Sequence, residues 1–239
     1  MQSLKIKLYQ NLCNYRREGS FGYVQTYPLP TPSMIRGMVH NVLGAQEYYP
    51  LKVSIQGKSD AVITNVQRVY KFDRDPKSRP DNPYQVTVKN SLKTATHGIS
   101  FVDLHVNMRL IIHILFQNDN DNDNLIKKLE NELQNNIPIL GRNDDIALIE
   151  DLKIVTLKNF TGRQIQSKLP MFVLKDVLIE NVGTRYRLPF WYEKVESFED
   201  NRIFNFVEAN YISEGVSLKK DNIFVDDEDI VCLLSSQCE

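Results

Sequence analysis

YPLPTPSMIRGMVHNVLG, residues 27–44, begins with prolines at 28, 30 and 32 and continues as an amphipathic repeat. Thr31 has the side chain of a helix N-cap, and Pro32 suits the first helical position, where its missing N–H costs nothing. Ile35, Met38, Val39, Val42 and Leu43 then recur at i, i+3, i+4, i+7 and i+8, which commits one helix face to a core. The other face carries Ser33, Arg36, Gly37, His40, Asn41 and Gly44. Glycine inside a helix is less stable than alanine, but on a polar face it lets another backbone approach closely. Arg36 lies near the helix start, where free N–H groups favour anions, and a guanidinium grips phosphate in a forked pair. Two interpretations stay open: a stripe (Ser33, Arg36, Gly37, His40, Asn41) that contacts a polyanion, or a solvated helix face.

Upstream, residues 3–9 alternate apolar and polar, as a half-buried strand does, and a loop with Arg16, Arg17 and Gly19 follows. Downstream, 51–56 and 61–72 read as strands, and 73–100, with Pro76, Pro80 and Pro83, reads as a polar excursion. The apolar run 108–116 is a further strand. NDNDNDN at 118–124 is a turn that can cap a second helix over 125–136, where Leu125, Leu129 and Leu133 recur every four residues. Residues 149–157 close the series. This βαββαβ order predicts an α+β fold: a ferredoxin-like domain over 1–159 with an insertion at about 73–100. Segments 170–179, 184–193, 202–212 and 223–234 predict a smaller β-rich part over 160–239.

The chain has 239 residues, 42% hydrophobic and 25% charged, which is ordinary for a globular protein. No apolar run reaches the ~20 residues needed to cross a bilayer, and the N-terminus lacks a signal-peptide layout. Cys13, Cys232 and Cys238 are odd in number and widely spaced, which gives neither a disulfide framework nor metal-ligand spacing. A cytoplasmic protein with no membrane, metal or cofactor is the expectation. The net charge of −1 averages two unlike halves: residues 1–116 hold 15 Lys+Arg against 7 Asp+Glu, and the remainder 14 against 23. Such a split suggests a basic face for a polyanion and an acidic face for something else.

The stretch 27–44, the opening LKIKLYQNLCNYR (4–16) and ILGRNDDIALIEDLKIV (139–155) resemble the CRISPR-associated "Cas five" proteins of the RAMP superfamily. YRLPFWYE (186–193) resembles them more loosely, and the type I-B branch is the most similar. The resemblance implies a non-catalytic subunit of Cascade, the multisubunit complex that searches DNA for matches to a guide RNA. It would bind and cap the 5′ handle of the guide RNA and dock the backbone and large subunits, with target DNA engaged indirectly. The RNA contacts it implies lie on the ferredoxin-like domain, on a loop after the second helix and on an inserted thumb-like hairpin. Here that loop is Gly141–Arg142–Asn143, where glycine permits the turn and Arg142 supplies a cation; pairing of Arg142 with Asp144 or Asp145 is the competing role.

The hairpin would lie within about 68–100, where Arg68, Lys71, Arg74, Lys77 and Arg79 are interleaved with Tyr70, Phe72 and Tyr84. Cations hold phosphates and aromatic rings stack on splayed bases, the combination that grips single-stranded RNA. Arg16 and Arg17 would reach the same phosphates. Arg163, Lys168, Arg185 and Arg187 serve RNA or protein partners equally well. The alternative is a metal-independent endoribonuclease of the same superfamily, which needs an acid and a base at the 2′-OH and the leaving oxygen. His105 and His113 fall in apolar strands and His97 in the insertion, so His40 is the candidate for that role.

Overall fold

Leu4, Ile6 and Leu8 of the first strand have no solvent exposure, whereas the residues between them point to the opposite face of the sheet. That alternation sets two layers: helices on one side of a central sheet, and a strap from the C-terminal part on the other. The computed structural model describes residues 1–20, 22–74, 83–89, 92–117, 122–194, 202–219 and 222–234.

The strands are β1 (Gln2–Cys13), β2 (Tyr23–Val24), β3 (Leu51–Lys58), β4 (Ala61–Arg74), β5 (Gln85–Thr87) and β6 (Thr94–Phe116). They continue as β7 (Leu148–Thr156), β8 (Lys158–Asn159), β9 (Gln164–Gln166), β10 (Met171–Val173), β11 (Thr184–Lys194) and β12 (Arg202–Ile212). β13 (Ser217–Lys219), β14 (Ile223–Val225) and β15 (Ile230–Cys232) end the series, and the helices are α1 (Pro32–Leu43) and α2 (Asn122–Asn135). The protein is α+β. The main sheet runs β11-β12-β10-β3-β6-β1-β7, and every neighbouring pair along this path is antiparallel.

α1 starts and stops where its sequence signals stand. The Thr31 side chain accepts from the Met34 N–H, and Gly44 takes the left-handed conformation (φ 61°) that ends the helix. Ile35 and Val39 pack with Ile126, Leu129 and Leu133 of α2 and with the inward residues of β1 in one core. Asn122 fixes the start of α2 against the sheet: its Oδ1 accepts from the Phe116 N–H and its Nδ2 donates to the Gln2 carbonyl.

β6 changes partners along its length. Residues 108–116 lie between β1 and β3, while 94–106 pair with β4 from Ala61↔Val106 to Arg74↔Thr94. The two halves meet at Asn107, a non-glycine residue with φ 51°. Its side chain accepts from the Tyr9 hydroxyl at 2.7 Å and donates to Asp60 at 2.8 Å, and these bonds compensate for the strained backbone. The polar segment expected as an excursion from residue 73 therefore begins as a paired arm at residue 61 and returns as strand from residue 94.

β10, β11 and β12, all beyond residue 160, extend the main sheet. The β14–β15 hairpin crosses the sheet face opposite the helices. There Gln56 donates to the Ile230 carbonyl, and the Cys232 N–H donates to the Ser54 hydroxyl. Lys5, 1% exposed, meets Asp226 at 2.8 Å, Asp229 at 2.5 Å and Glu228 at 3.1 Å, and His113 meets Asp226 at 3.0 Å. Three acids of the acidic half thus serve as counterions to the sheet.

Candidate nucleic-acid interface

Three chain segments meet at one place. The first is the 14–24 loop: the Asn14 side chain donates to the Asp103 carbonyl, and β2 pairs in parallel with Phe101 and Val102 of β6. The second is the 140–145 loop, which Gln10 ties to the end of β1 through bonds to the Leu140 and Asp145 carbonyls. The third is β4, whose Gln67 accepts from Nη1 of Arg142 at 3.0 Å.

Arg16 and Arg17 are exposed on the first segment. Arg16 spans its own turn by donating to the Ser20 carbonyl, while Arg17 lies 5.7 Å over the Tyr27 ring and 5.8 Å over that of Tyr186. Arg68 and Lys71 are exposed on β4 and point to opposite faces of the arm, because strand side chains alternate. The Arg68 face carries Val66, Tyr70 and Phe72 with their cross-strand partners Phe101, Ile99 and His97, and its large apolar side chains are all exposed. Tyr84 stacks edge-on to His97 at 5.4 Å and extends that aromatic surface. Lys71 shares the other face with Gln67, on the side of the 140–145 loop. Arg74 ends β4, pairing with Thr94. Lys77 and Arg79 lie outside the described residues.

Gly141 has φ 116°, and an added Cβ would sit 2.6 Å from Asp145 Oδ2 and 2.8 Å from the Asn14 carbonyl, so only glycine fits. Arg142 takes the competing role. Its guanidinium meets Asp145 at 2.7 Å through Nη2 and 3.2 Å through Nε, and its backbone N–H donates to the same carboxylate at 2.8 Å. The hydrogen bonds to Asp145 raise the guanidinium pKa further. Arg142 therefore anchors the loop to the arm rather than projecting a free cation.

The α1 stripe divides, and two expectations need correction. Gly37 and Asn41 are exposed and Ser33 is half-buried, but Arg36 is only 5% exposed. Its guanidinium lies between the rings of Tyr48 (4.8 Å) and Phe190 (4.7 Å) and donates to the Leu51 carbonyl at 3.1 Å. The cause is tertiary: β11, more than 140 residues downstream, packs over that helix face. His40 is half-buried and accepts from the Tyr49 N–H through Nε2, with the rings of Tyr48 and Tyr49 edge-on to it. Burial holds its imidazole below the usual range, against the contact of Nε2 with the Tyr49 carbonyl, which favours protonation. It is packed into the 48–49 turn, not free on an open stripe.

His105 and the two described thiols are interior groups. His105 is held between the Tyr27 carbonyl (2.8 Å) and the Ser59 hydroxyl (2.9 Å), and His97 belongs to the arm. Burial pushes the thiols of Cys13 and Cys232 up to about 12. Asp103, Tyr186 and Tyr211 share no motif along the chain, yet they gather beside the arm base from three separate strands. Their proximity is a product of sheet register, not of spacing along the chain.

A family model described as "CRISPR-associated protein (Cas_Cas5)" matches residues 3–189. Among solved structures, one described as "CRISPR RNA-guided surveillance complex" superposes with a TM-score of 0.55 at 12% identity, over 90% of this chain and 91% of its own. A second, "Crystal structure of a CRISPR protein from Archaeoglobus fulgidus", gives a TM-score of 0.48 at 9% identity over the full length of both chains. At such identities the first of these speaks for the fold alone. No curated protein matches the sequence.

Proposed function

The chain belongs to the CRISPR-associated protein (Cas_Cas5) family, and from that membership we propose that it is a non-catalytic subunit of an RNA-guided CRISPR complex, binding and capping the 5′ handle of the guide RNA. The observation that carries this reading is the convergence of the Arg16–Arg17 loop, the 140–145 loop and the β4–β6 arm at one place. Exposed cations beside exposed aromatic rings suit a single-stranded, bent polyanion better than a second protein core.

The fold supports the same reading. β1, α1, β3, β6, α2 and β7 follow a βαββαβ sequence, and the strands lie side by side in the order β7-β1-β6-β3. We read this order as a ferredoxin-like core, with the β4–β6 arm as the inserted thumb-like hairpin between its second and third strands. Assignment to a type I-B Cascade rests on the resemblance of residues 4–16, 27–44 and 139–155. In such a complex the chain docks the backbone and large subunits and meets target DNA only indirectly, in the cytoplasm.

Within this reading Arg16, Arg17, Arg68, Lys71 and Arg74 hold phosphates, and Gly37 and Asn41 remain exposed for close backbone contact. Arg36, Arg142 and His40 support the surface from beneath. For the endoribonuclease alternative, His40 would have to give up its bond from Tyr49 to act on RNA. The deciding experiment incubates the purified chain with precursor guide RNA in EDTA. RNA retained and intact supports the cap; cleavage abolished by a 2′-deoxy substitution at the scissile position overturns it.

A further inference from the structure

A cavity of about 450 Å3 opens where the arm meets the sheet, between the start of β4, the 26–28 turn and the β11–β12 hairpin. Its size falls within the ~300–1,000 Å3 of small-ligand sites. Tyr186 and Tyr211 line it, with Val62 and Pro170 as further apolar wall and Lys58 at the sheet edge. Phe172 packs edge-on against both tyrosines, 6.0 Å from each centroid, and Arg17 lies over Tyr186. The two rings are therefore fixed before any ligand arrives, which lowers the cost of ordering them on binding.

The polar group in the cavity is Asp103. Its Oδ1 accepts from the Tyr23 hydroxyl at 2.6 Å and from Thr64 Oγ1 at 2.8 Å. Among the described residues, Oδ2 receives no donor. A carboxylate beside a basic surface repels phosphate, but it accepts well from the N–H edge of a base. His105, also lining the cavity, has both ring nitrogens engaged, so it shapes the wall without offering a free proton.

We propose that this cavity takes one unstacked RNA base bearing an exocyclic amino group, with Tyr186 and Tyr211 stacking on it and Asp103 accepting from the amino N–H. The inference rests on the RNA-binding reading above and adds to it the site and chemistry of one recognised nucleotide. Uracil is disfavoured, because its one ring N–H lies between two carbonyls that repel the carboxylate.

The test is a scan of handle-bearing RNA in which each position in turn carries an abasic sugar, with affinity read by fluorescence anisotropy. Wild type should lose about tenfold or more at one position, the scale of one base–aromatic stack. Uracil at that position should bind more weakly than an amino-bearing base. In Tyr211→Leu the intact RNA should lose a similar factor, and the abasic site should then add nothing. Tyr211→Phe, which keeps the ring, should retain the position-specific loss and excludes misfolding as the cause. Asp103→Asn, which can still accept from Tyr23 and Thr64, should narrow the discrimination against uracil. A flat scan, or an abasic penalty unchanged in Tyr211→Leu, overturns the pocket while leaving RNA binding intact. Absence of any RNA binding overturns the broader reading and the pocket together.

Discussion

Asp145 accepts from both the side chain and the backbone N–H of Arg142, at 2.7 Å and 2.8 Å, while its other neighbour, the Asn14 N–H just past the end of β1, closes the same carboxylate. One buried acid thus joins the end of the first strand to the loop after the second helix, and Arg142 passes that connection on to the arm through Gln67.

Removing the guanidinium leaves this buried acid short of its charged partner. Arg142→Ala should lower stability by about 1.5–3 kcal/mol in urea unfolding. Arg142→Lys should restore little, because an ammonium cannot reproduce the fork. Because the charge is already matched by Asp145, the salt slope of RNA binding should stay unchanged; a slope reduced by a full phosphate contact would contradict this.

Arg36 makes a related point inside the helix layer. Arg36→Ala should cost about 2–3 kcal/mol through loss of two ring contacts and the bond to the Leu51 carbonyl. Its effect on RNA should appear as lost stability, not as a changed salt dependence. Native stability with a flattened slope would show that the guanidinium reaches solvent after all.

Exposed cations of the arm should behave in the opposite way. Arg68→Ala and Lys71→Ala remove side chains with no apolar burial to lose, so unfolding midpoints should move little. Each should lower the slope of log K against log salt by about 0.7, the value for one phosphate of a single strand. Unchanged slopes in both variants would remove the arm from the RNA surface.

Acid should loosen the C-terminal strap. Burial pushes the Asp226 carboxyl up, but the bonds from His113, Lys5 and the backbone outweigh it and hold the group well below the usual carboxylate range. Lys7, then Lys5 and Lys153, pull Glu228 down to about 2. Depressed carboxyl values stabilise the fold above the ordinary range near ~4, and this contribution is lost as pH falls from there toward 2 and below. Urea midpoints should therefore drop on acidification below pH 4, and Asp226→Asn should be less stable at pH 7 with a shallower acid limb. An identical acid limb in that variant would mean that the strap is not the titrating element.

The sequence shows most of the frame, and its failures have physical causes. Thr31, Pro32 and Gly44 mark α1 because caps are local chemistry, and the alternation of Leu4, Ile6 and Leu8 marks β1 because one face must be buried. Residues 94–100 read as a polar excursion because TATHGIS carries no apolar alternation of the kind a half-buried strand shows. The helix repeat sets Arg36 on an open polar face, because Phe190, which covers it, is distant in sequence. For the same reason Lys5 gave no sign of being buried: its counterions Asp226, Glu228 and Asp229 lie at the other end of the chain. Arg142 had its true partner three residues away, and the choice between acid and RNA depended on whether Asp145 was buried.

The central claim, that this chain holds the 5′ handle, is tested most directly by its affinity for guide RNA with and without that handle at one fixed salt concentration. The account predicts that the handle-bearing RNA binds at least about tenfold more tightly and is recovered intact. Equal affinity for the two RNAs would contradict it.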